Sequence, residues 1–325
     1  MNAGLPWDLR AAIGRLLEGR PRSALVAKAA RLSEIYRAGG NSREAIADET
    51  GALAYTLARM PATYAAVAAV LAEAARRAPD FSPHTSLDAG AGPGTASWAC
   101  AERYPTLASI SMMDASPAFI DLARRLARDS VHPALRDSTS ALGDFVRGDA
   151  PLPESDLAIA AYVLAELADS ACEEVAARLW MACAGLFVLV EPGTPAGYKR
   201  IMTARERLIA EGAAVLAPCP HAHVCPLRMP DWCHFAARLP RSRDHMLAKT
   251  ATVPFEDEKF SYLVVARPHV IGARAGGRVL APPRRNKAGL TLKLCRADGI
   301  ADVAVARRDR TAFARLRHAR WGDGY

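Results

Sequence analysis

A glycine-rich loop preceded by an acid is the first group of residues in this chain that could do chemistry. Asp88 is followed by Gly90, Gly92 and Gly94 in the pattern D-A-G-A-G-P-G. Glycines let a backbone turn sharply and approach a ligand that a Cβ atom would exclude. A dinucleotide site has G-x-G-x-x-G and binds phosphate at a helix N-terminus. Asp88 would repel a pyrophosphate but could pair with an ammonium group, so the pattern favours a different ligand.

Further acids follow at the ends of later apolar runs. Asp114 ends the next predicted strand, where a carboxylate can accept both hydroxyls of an adenosine ribose, and Asp149 could contact an adenine amino group. Each acid alone could be an ordinary strand-end carboxylate, and the glycines alone could form a tight turn. Together with Glu191-Pro192-Gly193, their order and spacing resemble the class I S-adenosylmethionine-dependent methyltransferases, over about residues 80–195 and the strand at 260–267.

This resemblance implies a doubly wound α/β fold and a cofactor site, but it does not name a catalytic base. The candidate cofactor-binding residues are Asp88, Gly90, Gly92, Gly94, Asp114, Ser116, Asp149 and Tyr162. Amino-group methyltransferases carry N/D-P-P-Y/F after the fourth strand, where this chain has Ala160-Ala161-Tyr162-Val163. The Pro-Cys or Thr-Cys nucleophile loop of C5-pyrimidine methyltransferases is also absent from the sequence. The catalytic residues therefore stay unknown.

Four cysteines in the second half of the chain form the other candidate site. They are Cys219, Cys225, Cys233 and Cys295. The first three are spaced C-x5-C-x7-C with three histidines nearby, and the last is a candidate fourth ligand. Zinc sites usually contain C-x2–4-C pairs, whereas iron–sulfur clusters accept three or four thiolates at irregular spacing. An iron–sulfur cluster is the favoured interpretation, with zinc or unliganded buried thiols as the alternatives. Cys100, Cys172 and Cys183 stand in alanine-rich helical stretches and are interpreted as core residues.

The chain as a whole resembles one family. The segments C-P-H-x-x-x-C-P-L, D-W-C-H-F, R-L-x-R-S-R-x-H and P-R-x-x-K-x-G-L-x-L-x-L-C are similar to those of the methyltransferase-like small-ribosomal-subunit assembly factors of mitochondria and bacteria, over about residues 30–310. The resemblance implies that the four cysteines ligate a [4Fe–4S] cluster and that the protein binds small-subunit rRNA during assembly. An active rRNA methyltransferase is the alternative function, and a small-molecule methyltransferase is a third.

The positive charge is concentrated at the C-terminal end. The formal net charge is +8, yet residues 267–325 alone contain 14 Lys and Arg against 4 Asp and Glu. Such a basic segment suggests a polyanionic partner, most commonly nucleic acid, or else a solvated face. The candidate RNA-binding residues are Arg238, Arg241, Arg243, Arg284, Arg285 and Lys287. A cluster that ties the two basic groups together would make them one phosphate-binding surface; no DNA or membrane partner is expected.

The elements that must position these residues follow from the hydrophobic pattern. Residues 1–80 show helical spacing, with Ser42 as a helix N-cap, 81–270 alternate strands and helices, and 271–325 form a small basic β appendage that supplies Cys295. An iron–sulfur insertion is predicted at 196–250. The predicted strands are Thr85–Asp88, Ser109–Asp114, Leu157–Ala161, Leu186–Glu191 and Phe260–Arg267. The predicted helices of the alternating part are Thr95–Tyr104, Pro117–Ala127 and Ser170–Ala184.

Composition excludes several classes of protein. Hydrophobic residues make up 51% of the 325 residues and charged residues 23%, which is typical of a globular chain with a packed core. No apolar run approaches the ~18 residues of a membrane span, and the first residues do not resemble a secretory signal. The expected location is the cytoplasm of a bacterium, or the mitochondrion if the source is eukaryotic.

Overall fold

The computed structural model describes residues 4–37, 46, 48–144 and 150–325. The helices are α1 (Trp7–Leu17), α2 (Arg22–Arg37), α3 (Glu49–Ala58), α4 (Met60–Arg77), α5 (Thr95–Arg103), α6 (Pro117–Ala127), α7 (Pro133–Arg136), α8 (Asp169–Met181), α9 (Pro195–Ala210), α10 (Arg243–Ala248) and α11 (Arg310–Leu316). The strands are β1 (Thr85–Ala89), β2 (Ser109–Asp114), β3 (Thr139–Leu142), β4 (Ser155–Ala161), β5 (Cys183–Pro192), β6 (Ala214–Ala217), β7 (Phe235–Pro240), β8 (Phe255–Ala266), β9 (Gly277–Val279), β10 (Arg284–Arg285), β11 (Gly289–Arg296) and β12 (Gly299–Ala306).

A mixed, mostly parallel sheet forms the body of the protein. Its strand order is β3-β2-β1-β4-β5-β8-β6. Strands β1 to β5 run parallel to their neighbours, and β8 runs antiparallel to both β5 and β6. This doubly wound arrangement confirms the predicted class I methyltransferase-type fold. The strand order reverses between β1 and β4, and ligands of such sheets bind at the carboxyl ends of the strands beside that reversal.

Burial explains why these segments are strands. The run Leu186–Val190 of β5 is entirely buried, since helices cover both faces of the sheet. One apolar core lies between the sheet and the N-terminal helices with α5 and α6, and a second lies under α8 and α9. Strand β8 is 12 residues long. Its second half pairs with β5, while its first half pairs with β7.

Most predicted elements are found close to their predicted bounds, but β5 begins three residues before its predicted start at Leu186 and β8 begins five residues before its predicted start at Phe260. The helix predicted over Ser170–Ala184 ends at Met181, because β5 already begins at Cys183. The segment predicted as an insertion, 196–250, contains α9 and β6, and both belong to the α/β unit. The irregular segment that carries the cysteines is therefore shorter, residues 218–234. Ser42, the predicted N-cap, lies outside the described residues.

The appendage is a small antiparallel sheet. Strands β9, β10 and β12 each pair with β11. The order of the main path is β10-β11-β12. Its core contains Val279, Leu290, Leu292, Leu294 and Val305. The appendage is joined to the body through Arg278, which is 1% exposed and donates to Glu73 of α4 at 2.8 Å.

No helix among the described residues is long and apolar enough to cross a membrane.

Candidate functional site

The glycine loop connects β1 to α5 at the carboxyl edge of the sheet. Gly90, Gly92 and Gly94 have φ angles of 72°, 55° and 81°, in the left-handed region that favours glycine. A Cβ atom on Gly90 would come within 2.4 Å of Val163 Cγ2, in the segment that follows β4. The loop therefore packs directly against the next strand of the reversal, and Gly90 cannot carry a side chain without moving it.

Asp88 stabilises this loop by hydrogen bonds to the start of α5. It is 2% exposed, and its Oδ2 accepts hydrogen bonds from the backbone N and the Oγ of Ser97, at 2.8 and 2.7 Å. Burial raises the pKa of Asp88 to about 6, although the two Ser97 hydrogen bonds act in the opposite direction. Asp88 thus fixes the start of α5, rather than lying exposed where an ammonium group could reach it directly.

Asp114 lies at the end of β2 and holds the other side of the loop. Its Oδ2 accepts from Gly92 N and its Oδ1 accepts from Ser116 N, both at 2.8 Å. A carboxylate has about four lone-pair sites, so each of its oxygens can accept more than one hydrogen bond. Ser116 is the N-cap of α6, where its Oγ accepts from Phe119 N at 3.4 Å.

Tyr162 follows β4 and has a left-handed backbone with a φ of 63°. Its hydroxyl donates to Glu258 Oε1 at 2.8 Å, and the same oxygen pairs with Arg59 at 3.4 Å. Burial and the neighbouring Glu258 carboxylate raise the pKa of Tyr162 well above its usual value. The N-terminal helices, which contribute Arg59, therefore contact the same edge of the sheet as β4 and β8. Asp149, the remaining predicted cofactor residue, lies outside the described residues.

Glu191 belongs to the methyltransferase-like sequence pattern but is not one of the predicted site residues. It is fully buried at the end of β5, where its Oε1 accepts from Leu164 N at 2.8 Å and its Oε2 has no hydrogen-bond partner. Burial raises the pKa of Glu191 to about 8. The side chain is thus a neutral carboxylic acid at neutral pH, and it holds the turn that follows Tyr162.

A pH-dependent stability follows from Glu191. In the unfolded chain this carboxyl ionises above its ordinary pKa of 4.5, whereas in the fold it stays protonated to about 8. The unfolded state therefore loses a proton first, and stability falls as pH rises from about 4.5 to 8. We expect Glu191→Gln to reduce the drop in melting temperature between pH 5 and pH 8, measured by thermal denaturation. The exposed Glu174→Gln is the matched control, and an unchanged pH dependence in Glu191→Gln would contradict the assignment.

The four candidate cysteines meet around one cavity. Cys219, Cys225 and Cys233 come from the irregular segment and Cys295 from β11 of the appendage, and all four line the same space. Tyr198 of α9 donates its hydroxyl hydrogen to Cys225 Sγ at 3.2 Å. Within the part of the chain that the structure describes, no three Cys, His, Asp or Glu side chains converge closely enough to hold a single metal ion.

The segment that carries the cysteines is anchored to the sheet. Trp232 Nε1 donates to the carbonyl of Gly193, at the end of β5, at 3.0 Å. Ser261 Oγ in β8 donates to the carbonyl of Cys233 at 2.8 Å. These two bonds attach the segment, at Trp232 and at Cys233, to the ends of β5 and β8.

Two buried arginines flank this cavity. Arg205 of α9 is 2% exposed, and its NH2 donates to the carbonyls of His221 and His223 at 3.0 and 2.9 Å. Arg278 donates to the carbonyl of Pro218 at 2.8 Å, in addition to its pair with Glu73. Neither arginine was identified as a site residue from the sequence.

Burial raises the pKa of three of the four cavity thiols, those of Cys219, Cys233 and Cys295. Burial raises the pKa of Cys295 to about 12, although Arg278 and Arg205 act to lower it. Burial also raises the pKa of Cys219 and that of Cys233, the latter well above its usual value. A metal ligand must be a thiolate, so metal binding here would release protons.

The first group of predicted RNA-binding residues is largely paired with carboxylates. Arg238 makes two hydrogen bonds to Asp257, of 2.7 and 2.6 Å, and Arg241 pairs with Glu256 at 3.2 Å. Arg243 is exposed at the start of α10, a helix that packs against α2 and α3. This group therefore lies beside the N-terminal helices.

The second group lies on the appendage. Arg284 pairs with Asp302 at 3.1 Å, and Arg285 donates to the carbonyl of Ala319 at 2.6 Å. Lys287 is exposed. Among the described residues, no hydrogen bond or ion pair joins the first group to the second, and their union into one phosphate-binding surface stays a prediction.

Comparison with protein families gives one match over most of the chain. The profile of the Rsm22 family, described as mitochondrial small ribosomal subunit Rsm22, matches residues 49–325. The human mitochondrial ribosome assembly protein METTL17 is 30% identical over 292 residues, which are 83% of this chain and 61% of that protein. The Rsm22-cox11 tandem protein 2 of Schizosaccharomyces pombe, also mitochondrial, is 30% identical over 195 residues, 54% of this chain and 25% of that protein. This chain thus spans about six tenths of the human relative and a quarter of the yeast one.

The solved structures with a similar fold include two methyltransferases of known substrate name. Magnesium protoporphyrin IX methyltransferase of Synechocystis has 14% identity and a TM-score of 0.42, covering 63% of this chain and 80% of that one. Human N-acetylserotonin methyltransferase has 16% identity and a TM-score of 0.42, covering 79% of this chain and 70% of that one.

Proposed function

The chain belongs to the Rsm22 family, and from that premise we propose that it is an S-adenosylmethionine-binding, iron–sulfur-containing factor that acts on the small ribosomal subunit or its rRNA during assembly. The relatives are named as mitochondrial proteins, one of them as a ribosome assembly protein. For this chain the proposed location is the mitochondrion of a eukaryote or the cytoplasm of a bacterium.

The observation that carries the cofactor proposal is the edge formed by the glycine loop and Asp114. The loop is held between Asp88 and Asp114, and Gly92 N donates to the Asp114 carboxylate. This places three glycines at the strand reversal, where an adenosine could approach the backbone closely, beside a carboxylate that could accept ribose hydroxyls. S-adenosylmethionine supplies an activated methyl group on a sulfonium. The chain's own residues would bind its nucleoside part and orient it.

The cysteine cavity supports the proposed [4Fe–4S] cluster through its donor set. Four cysteines line one space, and one of them comes from the appendage. Four thiolates are the usual ligands of such a cluster, while the C-x5-C-x7-C spacing departs from the C-x2–4-C pairs of zinc sites. Cys219, Cys225, Cys233 and Cys295 would be the ligands, and binding would join the irregular segment to the appendage. The proposed role of the cluster is thus to hold the basic appendage on the body.

The experiment that tests the function measures two properties of the purified protein together. We expect it to associate with precursor small-subunit particles and to transfer no labelled methyl group from S-adenosylmethionine to their rRNA. Association without transfer would support an assembly factor. Failure to associate with particles that bind a known assembly factor in the same assay would reject the proposal.

An rRNA methyltransferase is the second candidate, and one observation favours it. Tyr162 keeps a left-handed backbone immediately after β4, and non-glycine residues in such conformations concentrate at functional sites. Labelled methyl groups recovered in small-subunit rRNA, and lost in Tyr162→Phe, would establish this activity in place of the first.

Asp114 provides a test of the cofactor site by itself. Asp114→Asn removes the charge of a carboxylate that would accept ribose hydroxyls, and charge-assisted hydrogen bonds contribute about 1.5–3 kcal/mol each. We expect S-adenosylmethionine to bind at least ~10-fold more weakly, measured by calorimetry. The control is Asp121→Asn, an exposed acid on α6. Equal affinities for the two variants would remove Asp114 from the site, and a melting curve of each variant verifies that the loop anchor is retained.

Salt dependence tests the basic appendage. Each phosphate contact adds about 0.7–0.9 to the slope of log affinity against log salt. Among the described residues, Arg285 and Lys287 have no carboxylate partner, and their double change to Ala is expected to lower that slope by roughly 1.5 for small-subunit rRNA. Arg238→Ala is the comparison, because Arg238 is already neutralised by Asp257 and should change the slope much less. A wild-type slope in the double variant would mean that the appendage is only a solvated face.

A further inference from the structure

Arg205 is a buried cation with no carboxylate partner among the described residues. Of the arginines in that part of the chain, only Arg205 and Arg278 are nearly fully buried, at 2% and 1% exposure. Arg278 is paired with Glu73. The NH2 of Arg205 donates only to the carbonyls of His221 and His223, and its Nε is buried without a hydrogen-bond partner.

An arrangement of this kind requires a negative charge nearby. Arginine cannot lose its proton in a protein, so Arg205 cannot become neutral as a buried lysine can. Two carbonyl oxygens accept hydrogen bonds from its NH2 group but do not neutralise its charge, and an unpaired buried ion is strongly unfavourable. Arg205 lines the cavity that is bordered by the four cysteines. A thiolate-bound cluster in that cavity would be the anion that balances it.

On the basis of the proposed cluster, we propose that Arg205 is the counter-charge of this cluster and raises its reduction potential. Four thiolates around an oxidised [4Fe–4S] core leave a net negative charge, and reduction adds one more electron. In a one-electron titration the electrode or a chemical reductant supplies that electron, the iron of the core accepts it, and no bond is formed or broken. A fixed positive charge beside the cluster stabilises the more negative, reduced form, which is one of the recognised determinants of cluster potential.

The test compares variants of the loaded full-length protein by redox titration of the cluster absorbance. Arg205→Gln removes the charge. We expect the ratio of reduced to oxidised cluster at a fixed poise to fall about tenfold, which corresponds to a potential lower by about 59 mV for a one-electron couple. Arg205→Lys keeps the charge and should stay close to wild type. Arg207→Gln, two residues further along α9 and partly exposed in pairs with Glu211 and Glu173, is the matched control and should have the wild-type potential.

A second measurement separates charge from simple anchoring of the His221–His223 segment. In Arg205→Gln, iron should be removed by a chelator several-fold faster than in wild type, and Arg205→Lys should restore the slow rate. If Arg205→Lys behaves like Arg205→Gln in both measurements, the role is only structural and the proposal is overturned. The same holds if Arg205→Gln has the wild-type potential and iron release. If Arg205→Gln does not fold, Arg205→Met, which needs no polar partner, is measured in its place.

Failure of the cluster and failure of the inference give different results. Wild-type protein without iron and acid-labile sulfide would reject the proposed cluster. Wild-type protein that contains the cluster, with a potential that does not respond to the charge at position 205, would reject only the role of Arg205.

Discussion

Cys233→Ser is expected to remove most of the iron and acid-labile sulfide from anaerobically purified protein and to lower its melting temperature at the same time. Ligation and folding are coupled at structural metal sites, where zinc-finger peptides gain about 10 kcal/mol or more from metal binding. The loss here should be several kcal/mol from ligation alone, since Cys233→Ser keeps the Ser261 bond to the Cys233 carbonyl and the Trp232 bond to Gly193. Iron, sulfide and thermal denaturation of the same preparation measure the effect.

Cys100→Ala is the matched control for this prediction. Cys100 is buried in α5, and it is absent from the cysteine cavity. Its substitution should leave the iron content unchanged and cost only the packing of one small side chain. Tightly bound zinc without sulfide in wild type would replace the cluster by a zinc site. Iron retained in Cys233→Ser at the wild-type amount would exclude Cys233 as a ligand.

Gly90→Ala is expected to destabilise the fold by about 3 kcal/mol and to abolish measurable S-adenosylmethionine binding. A left-handed residue other than glycine costs roughly 1–2 kcal/mol, and overpacking typically adds about 1–3 kcal/mol. The new Cβ would meet Val163 Cγ2 at 2.4 Å, and a valine has no flexible end that could move aside. Chemical denaturation gives the free energy of unfolding, and calorimetry gives the affinity for the cofactor.

Gly212→Ala separates the two contributions. Gly212 also has a positive φ, 83°, but no atom lies within 4 Å of its ideal Cβ position. It should therefore lose only the conformational part, about 1 kcal/mol, and keep cofactor binding. Equal losses of stability in Gly90→Ala and Gly212→Ala would show that the contact with Val163 does not constrain the glycine loop.

The central strands could be predicted from the sequence because burial on both faces leaves a continuous apolar run. The run Leu186–Val190 of β5 is an example. Strand β3 was missed because it lies at the sheet edge and is mostly exposed. In β7 the signal was present, since Phe235, Ala237 and Leu239 are buried in alternation with exposed residues. Because the sequence assigns this segment to an insertion, the alternation of buried and exposed residues does not lead to a predicted strand there.

Helix α9 was also hidden in the sequence by the residues around it. Thr194 caps its N-terminus by accepting from Gly197 N at 3.1 Å, and Pro195 is its first residue. Both are ordinary start signals for a helix, but the surrounding prolines, cysteines and histidines suggested irregular structure. The helix matters for function, because it carries the buried Arg205.

The candidate sites were predictable to different degrees. The motif and the family resemblance identified the four cysteines, and the structure places them around one cavity. The role of Asp88 was not predictable, because its bond to Ser97 depends on how the loop closes. Arg205 looks like its exposed neighbour Arg207 in the sequence. Helical spacing could have distinguished them, since Arg205 follows Ile201 by four residues on the buried face.

The position of Cys295 in the chain sets an order of events during synthesis. The three cysteines of the irregular segment precede β8 in the chain, but the fourth comes from β11, after the last strand of the main sheet has been made. Chains fold from the N-terminus as they are synthesised, so a full set of four thiols exists only after the appendage has docked through Arg278 and Glu73. A loaded cluster would therefore mark a chain that has finished folding, and a truncated chain could not acquire that mark.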